Sequence, residues 1–195
     1  MPNASGRPSR QEKLAHLDAA LSYVTRWRFS VDAGAHVGNW TVVMASRFER
    51  VLAFEPMLDN QERWREKMAG ITNAQLVCKA LGDRACVVRM DGSRHAKHYA
   101  TPDPAGDVAM VTIDSLSLPD LDFLKVDCEG ADTLVLRGAE ATIKRCRPVI
   151  IVESLAKFER RYGLPPGAPI AYLQSLGMRH VGTFWCDYIF VFPDP

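Results

Sequence analysis

The sequence has no excess charge of either sign and no long apolar run. Its 195 residues include 24 Lys and Arg against 23 Asp and Glu, which gives a formal net charge of +1. Charge alone therefore gives no indication of a nucleic-acid partner. No apolar run approaches the roughly 20 residues that a membrane helix needs, and the first residues lack the apolar core of a signal peptide. A nucleic-acid substrate is thus disfavoured, and no membrane segment is expected.

Cysteine is scarce, and its spacing shows no pattern. The chain has five Cys, and none of them belongs to a CxxC pair. An odd number of scattered thiols fits a reducing compartment better than a disulfide framework or a zinc site. We therefore expect a cytoplasmic protein whose cysteines are small buried residues.

Most of the chain alternates short apolar segments with segments of helical period. This alternation predicts an α/β fold with a doubly wound, mostly parallel, Rossmann-like sheet. Two strand-like runs at residues 178–184 and 188–192 break the alternation and predict a C-terminal antiparallel hairpin. A sheet that ends in such a hairpin is the methyltransferase variant of this fold. A single methyltransferase domain is therefore expected over residues 12–195, after a disordered lead-in at residues 1–11.

The element bounds follow from the same patterns. An amphipathic helix is expected over residues 12–28, because Leu14, Leu17, Leu21 and Val24 recur at helical steps. Further helices are predicted over residues 40–49, 58–69 and 131–145. Strands are predicted over residues 29–33, 50–54, 74–79, 123–127 and 149–152. Loops are expected over residues 91–107 and 154–169, and the second follows a parallel strand at the edge of the sheet where ligands bind.

A glycine turn follows the first strand. The strand ends in Asp32, and Gly34 and Gly38 precede a helix-like run. A strand that leads through a glycine turn into a helix brings backbone close to a nucleotide-like ligand. The carboxylate ahead of the first glycine would repel a pyrophosphate, but it suits a ligand with an ammonium and a sulfonium group. The turn therefore favours S-adenosylmethionine over NAD, with a tight turn that binds no ligand as the structural alternative.

The ends of the next two strands extend the predicted cofactor site. Glu55 ends the second strand, where an acid accepts hydrogen bonds from both ribose hydroxyls. The third strand ends in ALGD, whose small residues would let an adenine ring lie against the backbone. Asp83 in this motif either accepts from the adenine amino group or caps the loop. The predicted cofactor-binding residues are Asp32, Gly34, Ala35, His36, Val37, Gly38, Thr41, Glu55, Pro56, Ala80, Leu81, Asp83 and Asp127.

Carboxylates follow the two strands after that. Asp127 and Glu129 stand at or beyond the end of one strand, and Glu153 closes the next. A methyl acceptor must sit at the carboxyl end of a central strand beside the cofactor. Transfer to an alcohol there needs proton removal and in-line geometry. Asp127, Glu129 and Glu153 are therefore the predicted catalytic residues, with Asp127 orienting the substrate or the cofactor amine. An ion pair with Lys125 plus a helix cap is the structural alternative.

The same three carboxylates permit a second hypothesis, in which Asp127, Glu129 and Glu153 hold Mg²⁺. The metal would lower the pKa of the acceptor hydroxyl, but we favour the metal-free interpretation. The remaining candidates have simpler explanations in solvated loops or sheet-edge packing. They are His95 and His98 as bases, Lys157, Arg160 and Arg161 as ligands of a phosphate or acidic sugar, and Trp185 and Tyr188 as stacking surfaces.

An ordered set of motifs resembles the FkbM-type S-adenosylmethionine-dependent methyltransferases. The motifs are VDAGAHVGNWT, AFEP, ALGD, TIDSL, FLKVDCEGADTLVLRGA and RPVIIVE, which together span residues 31–153. The resemblance implies that residues 32–38 bind the methionine part of the cofactor and that Glu55 binds the ribose. It also implies that residues 80–83 lie beside adenine and that residues 127–130 line the reaction site.

The resemblance further implies O-methylation of a sugar or another small hydroxylated natural product. The sequence departs from the family pattern at His36, where Asn is usual, and at Asp132, where Glu is usual. A nucleotide or nucleic-acid methyltransferase is the alternative enzyme, although the chain lacks the Asn/Asp-Pro-Pro-aromatic motif of exocyclic amine methylation. A non-catalytic S-adenosylmethionine-binding module also remains open. The missing GxGxxG motif argues against an NAD-dependent oxidoreductase. The sequence does not indicate an oligomeric state.

Overall fold

The computed structural model describes residues 10–91 and 99–193, and it contains a seven-stranded sheet. In spatial order the strands are β3 (Ala74–Val77), β2 (Arg50–Phe54), β1 (Phe29–Ala33), β8 (Phe123–Val126), β9 (Val149–Glu153), β11 (Asp187–Val191) and β10 (Arg179–Phe184). The strands from β3 to β9 pair in parallel. The predicted doubly wound, mostly parallel sheet is therefore confirmed.

The C-terminal antiparallel hairpin is also confirmed. Strand β11 pairs antiparallel with both β9 and β10, so the last strand lies inside the sheet and β10 forms its edge. The burial of the two strands agrees with this order, because Ile189 and Phe190 on β11 are buried while Arg179 and His180 on β10 are exposed.

Helices cover both faces of this sheet. They are α1 (Arg10–Leu21), α2 (Asn39–Ala45), α3 (Leu58–Lys67), α4 (Asp132–Arg137), α5 (Glu140–Cys146), α6 (Ala156–Glu159) and α7 (Ala168–Ser175). Neighbouring residues of the central strands alternate between two cores: Leu124 and Ile150 face one, while Phe123 and Ile151 face the other. Within the two described ranges, no helix is both long enough and apolar enough to cross a membrane.

The first helix is shorter than predicted, because α1 ends at Leu21 rather than near residue 28. Beyond that point Arg28 anchors the chain just before β1. The backbone N–H of Arg28 donates to the Asp122 carboxylate at 2.9 Å, and its guanidinium donates to the same carboxylate at 2.7 Å. The expected disordered lead-in, residues 1–11, lies outside the described residues except where α1 begins at Arg10.

The single helix predicted over residues 131–145 is wrong, because the structure has α4 and α5 separated near Gly138. A Cβ on Gly138 would lie 2.0 Å from the Gly82 carbonyl oxygen, so the break lets this backbone pack directly on Gly82. The second helix has its own cap. The Asp114 carboxylate accepts from the N–H groups of Ala141 at 3.0 Å and Thr142 at 2.8 Å, which satisfies two donors at the start of α5.

A second, four-stranded sheet was not predicted. Its order is β4 (Ala80–Leu81), β7 (Val108–Val111), β5 (Cys86–Asp91) and β6 (Tyr99–Pro102). The loop expected over residues 91–107 therefore contains β6. These strands have two to six residues, and on β5 Val88 is the one buried residue, so the apolar pattern of β5 is weak. His95 and His98 lie outside the described residues.

We expect Gly138→Ala to lower the free energy of unfolding by about 1–3 kcal/mol, because the new Cβ would overlap the Gly82 carbonyl. Thermal denaturation measures this, since each kcal/mol corresponds to roughly 2–4 °C in a chain of this size. Gly182→Ala is the matched control, because a Cβ there meets its nearest atom at an ordinary 3.5 Å. Equal melting temperatures for the two variants would contradict the proposed cause of the helix break.

Candidate active site

A cavity of about 380 Å³ lies at the carboxyl ends of β1, β2 and β8. Helix α1 and the second sheet contribute further walls. Nine of the predicted site residues line it: Gly34, Ala35, His36, Glu55, Pro56, Ala80, Leu81, Asp127 and Glu129. The cavity therefore brings together residues from four separate sequence motifs.

Asp32 lies beneath the cavity rather than in its wall. Its side chain is fully buried, and Lys125, its partner in the register of β1 and β8, places its Nζ 3.0 Å from Asp32 Oδ1. The Thr41 hydroxyl donates to Asp32 Oδ2 at 2.6 Å. Asp32 and Thr41 were both predicted to bind the cofactor. They are instead buried beneath the glycine turn, and neither lines the cavity.

Lys125 connects this buried pair to the turn. Its ammonium donates to the carbonyl oxygens of Ala33 at 3.1 Å and Gly34 at 2.6 Å. Burial would lower the pKa of Lys125, but the carboxylates of Asp32 and Asp127 outweigh it and hold the pKa above its ordinary value. Lys125 therefore stays charged, and it fixes the backbone at the cavity floor.

The turn itself requires close backbone contacts. Gly34 has φ of +78°, and a Cβ there would lie 2.0 Å from the Asp127 carbonyl oxygen, so only glycine fits. His36 also has positive φ, at +50°, a conformation in which Asn and His are enriched among non-glycine residues. This explains why His36 can stand where the family pattern usually has Asn. Val37 and Gly38 belong to the turn but do not line the cavity.

Glu55 is a buried carboxylate in the cavity wall. Its oxygens accept from the N–H groups of His36 at 2.8 Å and Met57 at 2.9 Å, and from the Asn60 amide at 3.3 Å. Burial raises the pKa of Glu55 above its ordinary value, although these three hydrogen bonds oppose the shift. The carboxylate is thus fixed between the first turn and the start of α3.

Asp132 braces the loop that leaves β8. Its two oxygens accept from the N–H groups of Cys128 at 2.8 Å and Gly130 at 3.0 Å. Gly130 has φ of +102°, and a Cβ there would lie 2.4 Å from the Phe158 carbonyl. Burial raises the pKa of Asp132 to about 7. This residue, a departure from the family pattern, shapes the loop and does not line the cavity.

The structure does not place the three predicted catalytic carboxylates together. Asp127 and Glu129 line the cavity, whereas Glu153 is buried outside it beside Cys186 and Asp187. In the described ranges, those last three residues are the one set of His, Cys, Asp or Glu with ligand atoms within 4.8 Å of each other. Glu153 faces Cys186 of the hairpin, so the described residues do not bring together the alternative Mg²⁺ set of Asp127, Glu129 and Glu153.

Several other candidates lie away from the cavity. Asp83 forms an ion pair with Arg84 at 3.7 Å and is not in the cavity wall. The other outlying residues are those of the second loop and the hairpin: Lys157, Arg160, Arg161, Trp185 and Tyr188. Lys157 and Arg161 instead lie over the Phe158 ring, each 4.8 Å from its centroid.

Sequence reasoning missed several residues of the cavity wall. Lys13 and Leu14 come from α1, Met90 and Ala100 from the second sheet, and Tyr162 from the segment after α6. The Tyr162 oxygen accepts from the Ala100 N–H at 2.9 Å, which joins that segment to the sheet. Alternation in CVVRMD could have indicated β5, but nothing local places these residues over the cavity.

The comparisons identify the family. The sequence model of the family described as "Methyltransferase FkbM domain" matches residues 32–179 of this chain. The chain belongs to this FkbM methyltransferase family. Its domain is of the class I, S-adenosylmethionine-dependent type, as the motifs predicted. No curated protein matches the sequence.

Solved structures with the same fold include an FkbM methyltransferase from Methylobacillus flagellatus KT. It is 18% identical with a TM-score of 0.56, and the match covers 86% of this chain and 44% of that one. The chain therefore spans less than half of that relative. The N-methyltransferase NodS from Bradyrhizobium japonicum WM9, solved with S-adenosyl-L-homocysteine, is 13% identical with a TM-score of 0.59 and coverages of 95% and 87%.

A third similar structure is an rRNA methylase from Streptococcus thermophilus, 14% identical with a TM-score of 0.53 and coverages of 91% and 92%. At these identities the likeness establishes the Rossmann-like methyltransferase fold alone. The acceptor of this FkbM domain must therefore be inferred from its own cavity.

We expect Asp32→Asn to lower the free energy of unfolding by about 3–5 kcal/mol, because it leaves the buried Lys125 ammonium without its counter-charge. Adding Lys125→Met should recover part of this loss, since no buried charge then remains. Urea denaturation of the two single variants and the double variant measures the coupling. Lys144→Met, at an exposed ion pair with Glu140, should change stability by less than about 1 kcal/mol. Additive losses at Asp32 and Lys125 would contradict the role of the pair.

The raised pKa of Asp132 predicts a pH dependence of stability. A carboxyl with a raised pKa holds its proton more tightly in the folded state, so it stabilises the fold most at low pH. That contribution is lost as the pH rises from 3.8 to about 7. Wild type should therefore lose unfolding free energy relative to Asp132→Asn as the pH rises over this range. Denaturation at several pH values measures it, and parallel pH curves for the two proteins would contradict the prediction.

Proposed function

We propose that this domain transfers the methyl group of S-adenosylmethionine to a hydroxyl of a sugar or another small hydroxylated molecule. The observation that carries the proposal is the position of Asp127. It directly follows β8, the central strand next to the glycine turn, and lines the same cavity as Glu55. A carboxylate there faces both the expected cofactor and any acceptor that enters the cavity.

The chemistry of the wall fits this cofactor. The fixed Glu55 carboxylate suits two ribose hydroxyls, and the small and apolar Ala80 and Leu81 suit an adenine ring. The close approach of the Gly34 backbone to the Asp127 carbonyl leaves no room for a side chain at position 34. When bound, S-adenosylmethionine supplies an electrophilic methyl group on a sulfonium.

Asp127 and Glu129 are the proposed acceptor-facing groups. Each carboxylate can accept a hydrogen bond from a hydroxyl, which orients the oxygen and provides a place for its proton. Glu153 is not proposed in this role, because it lies outside the cavity wall. We propose a metal-free reaction, which the position of Glu153 outside the cavity wall supports.

The proposal also covers the setting of the reaction. The five cysteines, Cys78, Cys86, Cys128, Cys146 and Cys186, are all unpaired. Free thiols favour a reducing compartment, so we propose that the domain acts in the cytoplasm. The balanced charge of the chain favours a small acceptor over a nucleic acid.

The test is a methyl-transfer screen with isotope-labelled S-adenosylmethionine and a panel of hydroxylated acceptors, run with and without chelator. We expect a base-stable methyl ether as product, and equal rates with chelator. Asp127→Asn should lower the rate about 100-fold or more, within the range for a positioned acid or base. Methylation of an amine, of a nucleic acid or only with added metal would contradict the corresponding part of the proposal.

A further inference from the structure

Lys13 is a cation that the N-terminal helix brings to the cavity. Its ammonium nitrogen lies 3.8 Å from Asp127 Oδ2, and its side chain is 32% exposed. That separation is longer than a hydrogen bond. In the part of the chain that the structure describes, Asp127 is the one carboxylate within ion-pair distance of Lys13. The donors of this ammonium are therefore available to a ligand in the cavity.

The position of Lys13 is fixed by the packing of α1. Leu17, one turn further along the helix, is fully buried in the core that also holds Ile151 of β9. His16 Nδ1 lies 2.8 Å from Asp187 Oδ2, and the His16 ring stacks on Phe184. The helix is thus anchored to β9 and to the hairpin. Lys13 is held at the cavity wall rather than on a free surface.

The charge of Lys13 is maintained by its surroundings. Burial would lower the pKa of Lys13, but Asp127, Asp187 and Glu153 outweigh it and raise the pKa above its ordinary value. Glu153, which was predicted to be catalytic, is thus one of the carboxylates that favour the charged form of Lys13.

The other lysines of the cavity are placed for different tasks. Lys125 already donates to the Ala33 and Gly34 carbonyls and pairs with Asp32. Lys79 is next to Ala80, at the end expected to hold adenine. Among the lysines of the cavity wall, Lys13 is thus the one beside Asp127 whose N–H donors are available to a ligand.

We infer that Lys13 and Asp127 together bind the amino-acid end of S-adenosylmethionine, with Lys13 holding the α-carboxylate. An α-amino acid carries an ammonium and a carboxylate on one carbon. A neighbouring carboxylate and ammonium on the protein match that zwitterion with opposite signs. The inference rests on the proposed cofactor, and it adds a ligand-binding residue from outside the motifs of the sheet.

The experiment is calorimetry with two probes, S-adenosylhomocysteine and 5′-methylthioadenosine. Both contain the adenosine thioether, but only the first has the amino-acid group. We expect Lys13→Met to weaken S-adenosylhomocysteine about 10- to 100-fold, the range for a charge-assisted hydrogen bond. Binding of 5′-methylthioadenosine should be unchanged, and Lys13→Arg should retain most of the affinity. Lys144→Met is the matched control, because that exposed lysine lies outside the cavity wall.

Two outcomes would overturn the inference. Undiminished binding of S-adenosylhomocysteine to Lys13→Met would show that Lys13 does not hold the carboxylate. An equal loss for both probes would show that the substitution disturbs the cavity as a whole. A wild-type protein that binds neither probe would refute the proposed cofactor itself, so the two failures are distinguishable. Thermal denaturation of each variant checks that α1 stays packed.

Discussion

The cavity depends on one buried ion pair, between Asp32 on β1 and Lys125 on β8. A buried pair of this kind contributes little net stability compared with apolar residues, because both ions lose their hydration. Its effect here is geometric. The Lys125 ammonium also binds the carbonyl oxygens of Ala33 and Gly34, so the pair fixes the backbone of the glycine turn relative to the neighbouring strand. Two buried charges thereby fix the backbone conformation of the glycine turn.

The glycines complete that shape from the other side. Gly34 and Gly130 each lie against a backbone carbonyl group. A Cβ on Gly34 would lie 2.0 Å from the Asp127 carbonyl oxygen, and a Cβ on Gly130 would lie 2.4 Å from the Phe158 carbonyl oxygen. The two loops that follow β1 and β8 can therefore pack directly on neighbouring backbone. Asp132 then holds the second loop through two N–H groups. A larger residue at either glycine would separate these loops and move the carboxylate of Asp127.

Local patterns were sufficient to predict the strand ends but not their contacts. Asp32, Glu55 and Asp127 stand at or just beyond the ends of apolar strands, and in a parallel sheet such ends meet at one edge, so their proximity could be predicted. The pairing of Lys125 with Asp32 could not be predicted, because it depends on the register between β1 and β8. Gly138 interrupts a helical pattern only because Gly82 lies against it. The strands of the second sheet are too short to carry a periodic signal, and Lys13 reaches the cavity through the packing of α1.

The cavity wall has two parts, a floor and a cover, which correspond to cofactor binding and acceptor binding. The floor is built from strand ends and is fixed by the buried pair, the glycines and Asp132, which suits a constant cofactor. The cover consists of α1, the second sheet and Tyr162, whose oxygen binds the Ala100 N–H. We propose that acceptor selectivity resides in this cover, and that Lys13 extends the cover to the charged end of the cofactor.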